Sequence, residues 1–294
     1  MDLALCNGRA AISGVFSNNS LSAFRKQVSL IYNIGKFFYG FDYQYRELIM
    51  FHARCDLRGK LLVEIGGSLP NDLLFEHLGV EGYTNIESPD YIEADSGLAF
   101  SCNHCDHERR TTIYCNAEDI DQHLQPASAD AIFSVACFEH IYDLPKASSA
   151  CHSITRGGGR LFSYFAPIYS NIDEGDHGVI PLHHKLSKKP IGFYLLSNTD
   201  QRNRLLEAGI ISPQEIQDFL GHVNFNRIPN RLLYEDYEQI CTESPYSVLQ
   251  LNRQEDLIVS KRFPGEIEDV RRSNPKVRNI MSTGFRIHLI KVTS

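Results

Sequence analysis

The feature that most constrains this chain is Leu61–Ile65, a short apolar run of the kind that makes a strand buried on both faces, followed at once by Gly66-Gly67-Ser68. Pro70 and Asn71 then open a helical pattern that runs through Leu78. Proline suits a first helical turn because its missing N–H would have no partner there. A second strand at Tyr83–Ile86 ends on Glu87, 21 positions beyond the first glycine. The spacing predicts a β-turn-α-β unit with a carboxylate at the tip of its second strand. In such units an acidic residue about 20 positions on grips the hydroxyls of a ribose.

A dinucleotide fingerprint, G-x-G-x-x-G, brings the backbone close to a pyrophosphate. Here the string from Gly66 reads G-G-S-L-P-N, so only its first glycine fits. A nucleoside without phosphates makes a lighter demand on such a loop. The stretch resembles motif I (E-x-G-x-G-x-G) and the following acidic motif of class I S-adenosylmethionine (SAM)-dependent methyltransferases of the small-molecule type. Glu64, Gly66 and Glu87 are in register, and Ser68 and Pro70 replace the second and third motif glycines. The resemblance implies SAM as cofactor, with Glu64, Gly66, Gly67, Ser68, Glu87 and Ser88 around it.

The resemblance extends beyond that unit. Thr112–Tyr114 is a short strand leading into Asn116-Ala117-Glu118, where the family has a segment that reads the adenine edge. Asn116 can accept from an adenine amino group through its amide oxygen. Next comes Asp130-Ala-Ile-Phe-Ser134-Val-Ala-Cys137-Phe-Glu139-His140, an apolar strand followed by a helix from Phe138 to about Ile154. Gly157-Gly158-Gly159 reads as a helix C-cap and turn, since it precedes a strand and opens no helix. The strand Leu161–Ala166 follows. The order D-x-x-x-S, E-H, G-G-R-L-F resembles the fourth and fifth strands of the same family, and the matched pieces cover about residues 60–166. Ser134 joins the implied cofactor residues, and so does Tyr43 from the aromatic run discussed next.

Residues 37–45 carry six aromatics in nine positions, which suit a lid over a cationic sulfonium. They equally suit rings that pack N-terminal helices onto a sheet. Ser22–Ile34 has a helical period, and an amphipathic run reaches about Cys55. The expected organisation is an N-terminal helical lid over 1–57, a SAM-binding Rossmann-like core over 58–166, a substrate-binding cap over 167–230, and the rest of the core over 231–294. Tyr234–Thr242 reads as a helix, Tyr246–Leu251 as a strand and Thr283–Val292 as a terminal strand. The implied fold is a mostly parallel seven-stranded α/β sheet with helices on both faces. The family resemblance implies that one strand of its last hairpin runs antiparallel to the rest.

Methyl transfer to a hydroxyl gains from a general base, and histidine has a suitable reference pKa near 6.5. His177, between Asp176 and Gly178 in the cap, is the first candidate. His140, beginning the helix after the fourth strand, is the second, and His183-His184 follow. Asp173, Glu174, Asp176 and these cap histidines could also hold a divalent ion, but acidic loops are commonly just hydrated, so the expectation is no metal. Cys102-x-x-Cys105 with His104 and His107 lacks a second Cys-x-x-Cys, so a loop with incidental thiols is preferred over zinc.

The formal charge of −7 argues against a nucleic-acid backbone as partner. No apolar run approaches the ~18 residues of a membrane span, and the N-terminus lacks a cationic start before an apolar core. Eight scattered cysteines in a chain that needs no staples fit a reducing, cytoplasmic setting. The resulting expectation is a SAM-dependent O-methyltransferase acting on a small-molecule or glycan-like acceptor, with a homodimer compatible. An NAD(P)-linked oxidoreductase and a non-catalytic nucleoside-binding module are the alternatives.

Overall fold

The computed structural model describes residues 42–89, 107–166, 168, 230–255 and 264–293, with isolated positions at 199, 203, 206 and 212–214. The expected helix over 22–34, most of the expected cap over 167–230 (including His177, His183 and His184) and Cys102–Cys105 lie outside them.

Seven strands form one sheet. They are β1 (Leu61–Ile65), β2 (Gly82–Glu87), β3 (Arg110–Tyr114), β4 (Ala129–Val135), β5 (Thr155–Phe165), β6 (Ser247–Glu255) and β7 (Ser282–Ile290), in the spatial order β3-β2-β1-β4-β5-β7-β6. The pairs from β3 through β5 are parallel, whereas β7 runs antiparallel to both β5 and β6. One strand is therefore reversed, as the resemblance implies.

The order turns back between β1 and β4. β1 is followed in sequence by β2 and β3 on one side, while β4 and β5 lie on the other. At such a switch point the loops after the two central strands splay apart, and the crevice outside their carboxyl ends is where ligands bind in open α/β sheets.

Alternation along the strands sends side chains to opposite faces. On one face Leu62, Ala131, Phe133 and Phe162 pack under helix α1 (Asp42–Cys55) and the π-helix Asp72–His77. Phe51 of α1 lies stacked against Phe133 and Phe162, with centroids 6.1 and 5.3 Å away. This part of the 1–57 segment is thus a layer of the core. On the other face Val63, Ile65, Ile132, Leu161 and Phe285 pack under two helices, which follow the short α2 (Ile120–His123) in sequence: α3 (Leu144–Ile154) and α4 (Tyr234–Glu243).

Three local expectations change. The helix after β4 does not start at Phe138. Residues 138–143 form turns, and α3 begins at Leu144, with Asp143 Oδ1 accepting from Lys146 N and Pro145 in the first turn. That is a side-chain cap followed by a proline where no N–H is missed, a stronger helix start than Phe138 offers. The glycine run 157–159 is part of β5, which starts directly at Thr155 after α3 and bulges against β4. Gly158 has φ +80°, and a Cβ on Gly159 would come within 2.6 Å of Thr155 Cγ2, so the bulge demands both glycines. A helix α5 (Pro264–Ser273) also occupies the charged stretch between β6 and β7. Its Ile267 and Val270 make a small core of their own with Val277 and Ile280.

Candidate functional site

β1 delivers two glycines to the switch point in conformations that side chains rarely adopt. Gly66 has φ +67° and Gly67 φ +127°. A Cβ on Gly66 would stand 2.6 Å from Cys137 Sγ, and one on Gly67 would stand 2.8 Å from Glu64 Oε1. The loop after β1 therefore touches the turn after β4, and the two flank one crevice.

Glu64 is fully buried beneath this loop. Its Oε2 accepts from Leu69 N at 3.0 Å and from the Tyr83 hydroxyl, and its Oε1 accepts from Gln44 Nε2 at 3.1 Å. Burial pushes its carboxyl up to about 7, against the pull of the Tyr83 and Leu69 bonds. Glu64 thus organises the loop from below and ties it to α1 through Gln44.

Ser68 and Pro70 sit where the family has glycines, and Arg110 at the start of β3 secures the loop there. Its Nη1 donates to Leu69 O at 2.7 Å and to Asn71 Oδ1 at 3.1 Å, while Nη2 donates to Ser68 Oγ at 2.6 Å. The guanidinium lies over the Tyr83 ring, 4.7 Å from its centroid. No sequence signal pointed to Arg110, which reads as the end of a polar loop.

At the tip of β2, Glu87 is half-buried, and burial raises its pKa. The Asn85 amide (2.8 Å to Oε1) and the Gly67 backbone N–H work against that rise. Beside it Ser88 Oγ donates to Asn116 Oδ1 at 2.7 Å. Glu87, Ser88 and Asn116 are thus brought to one edge of the crevice. Ala117 is buried. Glu118 turns toward the start of α3, where its Oε1 accepts from Asp143 N at 3.0 Å. Ser134 is fully buried within β4 and donates to Ile65 O at 2.8 Å, across to β1. Tyr43 lies in the first turn of α1.

The turn after β4 begins with Ala136 at φ +52°, a left-handed conformation that costs on the order of 1–2 kcal/mol for a residue with a side chain. Its N–H is held by Tyr164 O at 2.9 Å. Asn230 then clamps the turn. Its Nδ2 donates to Phe138 O and Ile141 O, both at 2.9 Å, and its backbone N–H donates to Glu139 O at 2.7 Å. Asn230 Oδ1 accepts from the Tyr237 hydroxyl of α4 at 2.7 Å. Within the clamped turn His140 is exposed, whereas Glu139 is 1 % exposed and its Oε2 has no hydrogen-bond partner among the described residues. Burial pushes the Glu139 carboxyl up to about 8. The sequence shows Glu139 as one residue of a motif, but the clamp from Asn230, 91 positions on, is invisible there.

The residues at the crevice fit a nucleoside-bearing donor. Glu87 presents a carboxylate at the β2 tip, and Asn116 and Ser88 present neutral polar groups. The loop after β1 carries only the first of the dinucleotide-fingerprint glycines and is secured by Arg110. Among the described residues no group of three or more His, Cys, Asp or Glu could hold a metal ion, and no helix is long and apolar enough to cross a membrane.

Residues 90–163 match the model of a family described as a methyltransferase domain. A comparison with curated proteins found no match. Among solved structures, the chain is similar to a SAM-dependent methyltransferase from Mesorhizobium loti, at 10% identity and TM-score 0.44, over 80% of this chain and 92% of that one. It is also similar to phosphoethanolamine N-methyltransferase 2 of Haemonchus contortus in complex with S-adenosyl-L-methionine, at 12% identity and TM-score 0.45, over 95% of this chain and 61% of that one. The strand order 3-2-1-4-5-7-6 with its one reversed strand is a Rossmann-like α/β fold, and residues 90–163 match a methyltransferase domain, so in fold and in that segment the chain is similar to class I SAM-dependent methyltransferases.

Proposed function

We propose that this chain moves a methyl group from SAM to a small-molecule or glycan-like acceptor, at oxygen, by in-line displacement. The observation that carries the reading is the placement of Glu87 at the β2 tip, beside Gly67 and the Ser88–Asn116 pair.

Glu87 accepts from the ribose hydroxyls, its carboxylate being an acceptor-only group. Ser88, Asn116 and Ala117 border the adenine, while Gly66 and Gly67 allow close backbone approach. Glu64 and Ser134 act one layer down by fixing the loop and the strand that carry those contacts. The bound donor supplies an already activated methyl group. The protein's part is therefore alignment, which can lower a barrier by several kcal/mol. His140, exposed in the turn after β4, and His177, outside the described residues, are the proposed bases. Either would contribute about 10²–10⁴-fold for a hydroxyl acceptor.

Calorimetric titration with SAM, its demethylated product and NAD tests the donor. The expected result is binding of the first two and not the third, with Glu87→Ala weakening both tenfold or more. Tight NAD binding, or donor affinity indifferent to Glu87, would overturn the reading. A methyl-transfer assay across hydroxyl, amine and carboxylate acceptors tests the attacking atom. Unchanged turnover in both His177→Ala and His140→Ala would remove histidine from the mechanism.

A further inference from the structure

A carboxylic acid with no exposure to water and no hydrogen-bond partner is an expensive thing to build. Glu139 comes close to this: it is 1 % exposed, and its Oε2 has no hydrogen-bond partner among the described residues, while its own backbone N–H bonds the carboxyl and works against the effect of burial. The chain reaches it through a left-handed alanine and holds its turn with three hydrogen bonds from Asn230. That turn flanks the crevice at the switch point, because Cys137, two residues earlier, abuts Gly66.

Among the described residues no charged group acts on Glu139. From its own turn comes the Cys137 thiol, and from α4 the Tyr237 phenol. Burial raises the pKa of each, so both stay neutral at physiological pH. Glu139 is therefore protonated in the free protein at neutral pH, with burial as the cause. A cation arriving in the adjoining crevice would favour its ionised form.

We infer that Glu139 is the group by which this site tells a sulfonium donor from its neutral thioether product: it gives up its proton when the charged donor binds and keeps it when the product binds. The inference rests on the donor reading above. The proton leaves to solvent and no covalent bond other than O–H is broken. Product release would then be favoured by re-protonation, because the thioether offers the carboxylate no charge.

Calorimetric titration of the full chain with SAM and with S-adenosylhomocysteine, at pH 7 in two buffers of different ionisation enthalpy, counts the protons. The expected result is close to one more proton released per site with SAM than with the product. The ratio of SAM to product affinity should rise about five- to tenfold between pH 7 and pH 9, as the fraction of ionised Glu139 grows. In Glu139→Gln both ligands should still bind, but the proton difference and this part of the pH dependence should vanish. Equal proton release by the two ligands in the native chain overturns the inference. So does a difference that persists in Glu139→Gln. If that variant fails to fold, the native-chain proton count decides alone. If neither ligand binds the native chain, the donor reading falls and takes the inference with it; if both bind with equal release, only the inference falls.

Discussion

The guanidinium of Arg110 donates to the hydroxyl of Ser68 at 2.6 Å, across 42 residues of sequence. Ser68 stands where a glycine is the family's residue, and the bond explains how a loop with fewer glycines keeps its shape. Flexible backbone is exchanged for a loop held by an internal cation with two further bonds, to Leu69 O and Asn71 Oδ1.

Removing that cation should be costly. Arg110→Met leaves Leu69 O and Ser68 Oγ without their donor in a buried setting, a loss of about 2–4 kcal/mol. Arg110→Lys should recover only part of it, since an ammonium cannot serve three acceptors in the forked geometry of a guanidinium. Urea unfolding gives the stability, and titration with SAM should show weaker binding in both variants, more so in Arg110→Met.

Gly66→Ala tests the contact between the two loops. The new methyl would face Cys137 Sγ at 2.6 Å in a backbone conformation that disfavours side chains. A destabilisation of about 1–3 kcal/mol is expected, with a loss of donor affinity. Gly59→Ala is the control. Gly59 has φ +64° but nothing within 4 Å of its would-be Cβ, so it should lose only the backbone part, about 1 kcal/mol. Comparable losses in the two variants would mean that the packing against Cys137 does not matter.

These residues also show what the sequence made legible and what it did not. Strand identity was readable because Leu62–Ile65 and Ala131–Val135 are buried on both faces and leave apolar runs interrupted only by Glu64 and Ser134. The Glu87–Asn116 edge was readable because a fixed connection length brings the tip of each strand to the same rim. Arg110 and Asn230 were not readable, because each acts on backbone carbonyls far away in sequence, and a carbonyl has no residue type. Glu64 was read as a cofactor residue from its motif position, yet all three of its bonds run to the protein itself. The position was visible, while its neighbours Gln44 and Tyr83 come from elements that spacing does not connect.

Stability should fall as pH rises from about 6.5 to 8. Glu64 and Glu139 have folded-state pKa values raised to about 7 and about 8, so the folded form binds protons that the unfolded chain has already lost. Their contribution is fully present below the ordinary glutamate pKa and disappears as pH rises through the raised values, at up to about 1.4 kcal/mol per pH unit for each. His288, pushed down to about 4, and His52, lowered by burial, act in the opposite sense. Their penalty on the folded form is relieved as pH rises toward 6.5, and above it they add no further pH dependence. The two effects oppose one another at acid pH, and only the glutamates act above 6.5. Urea midpoints from pH 5 to 9 should therefore show a decline that the histidines partly offset below about 6.5, that is steepest between about 6.5 and 7, and that ends above about 8. Glu139→Gln should flatten the portion between 7 and 8, and a profile identical to the native one would show that Glu139 is already ionised in the free fold.

The hydroxyl of Tyr237 and the amide of Asn230 form a pair whose joint removal should be milder than the sum of its parts. Asn230→Ala keeps the backbone bond to Glu139 O but strips two donations from the turn, and it leaves the buried Tyr237 hydroxyl without its acceptor. A loss of about 2–4 kcal/mol is expected. Tyr237→Phe removes one end of the pair and leaves Asn230 Oδ1 with the Leu232 N–H at 3.3 Å, so about 1 kcal/mol should be lost. In the double variant no orphaned hydroxyl remains, and the coupling between the two sites should be about 1 kcal/mol or more in the favourable direction. Because the turn from Phe138 to Ile141 hangs on Asn230, Asn230→Ala should also weaken SAM binding, whereas Tyr237→Phe should leave it within about twofold. Strictly additive losses in the unfolding cycle would show that the turn is held by its own left-handed start at Ala136, and that Asn230 merely rests against it.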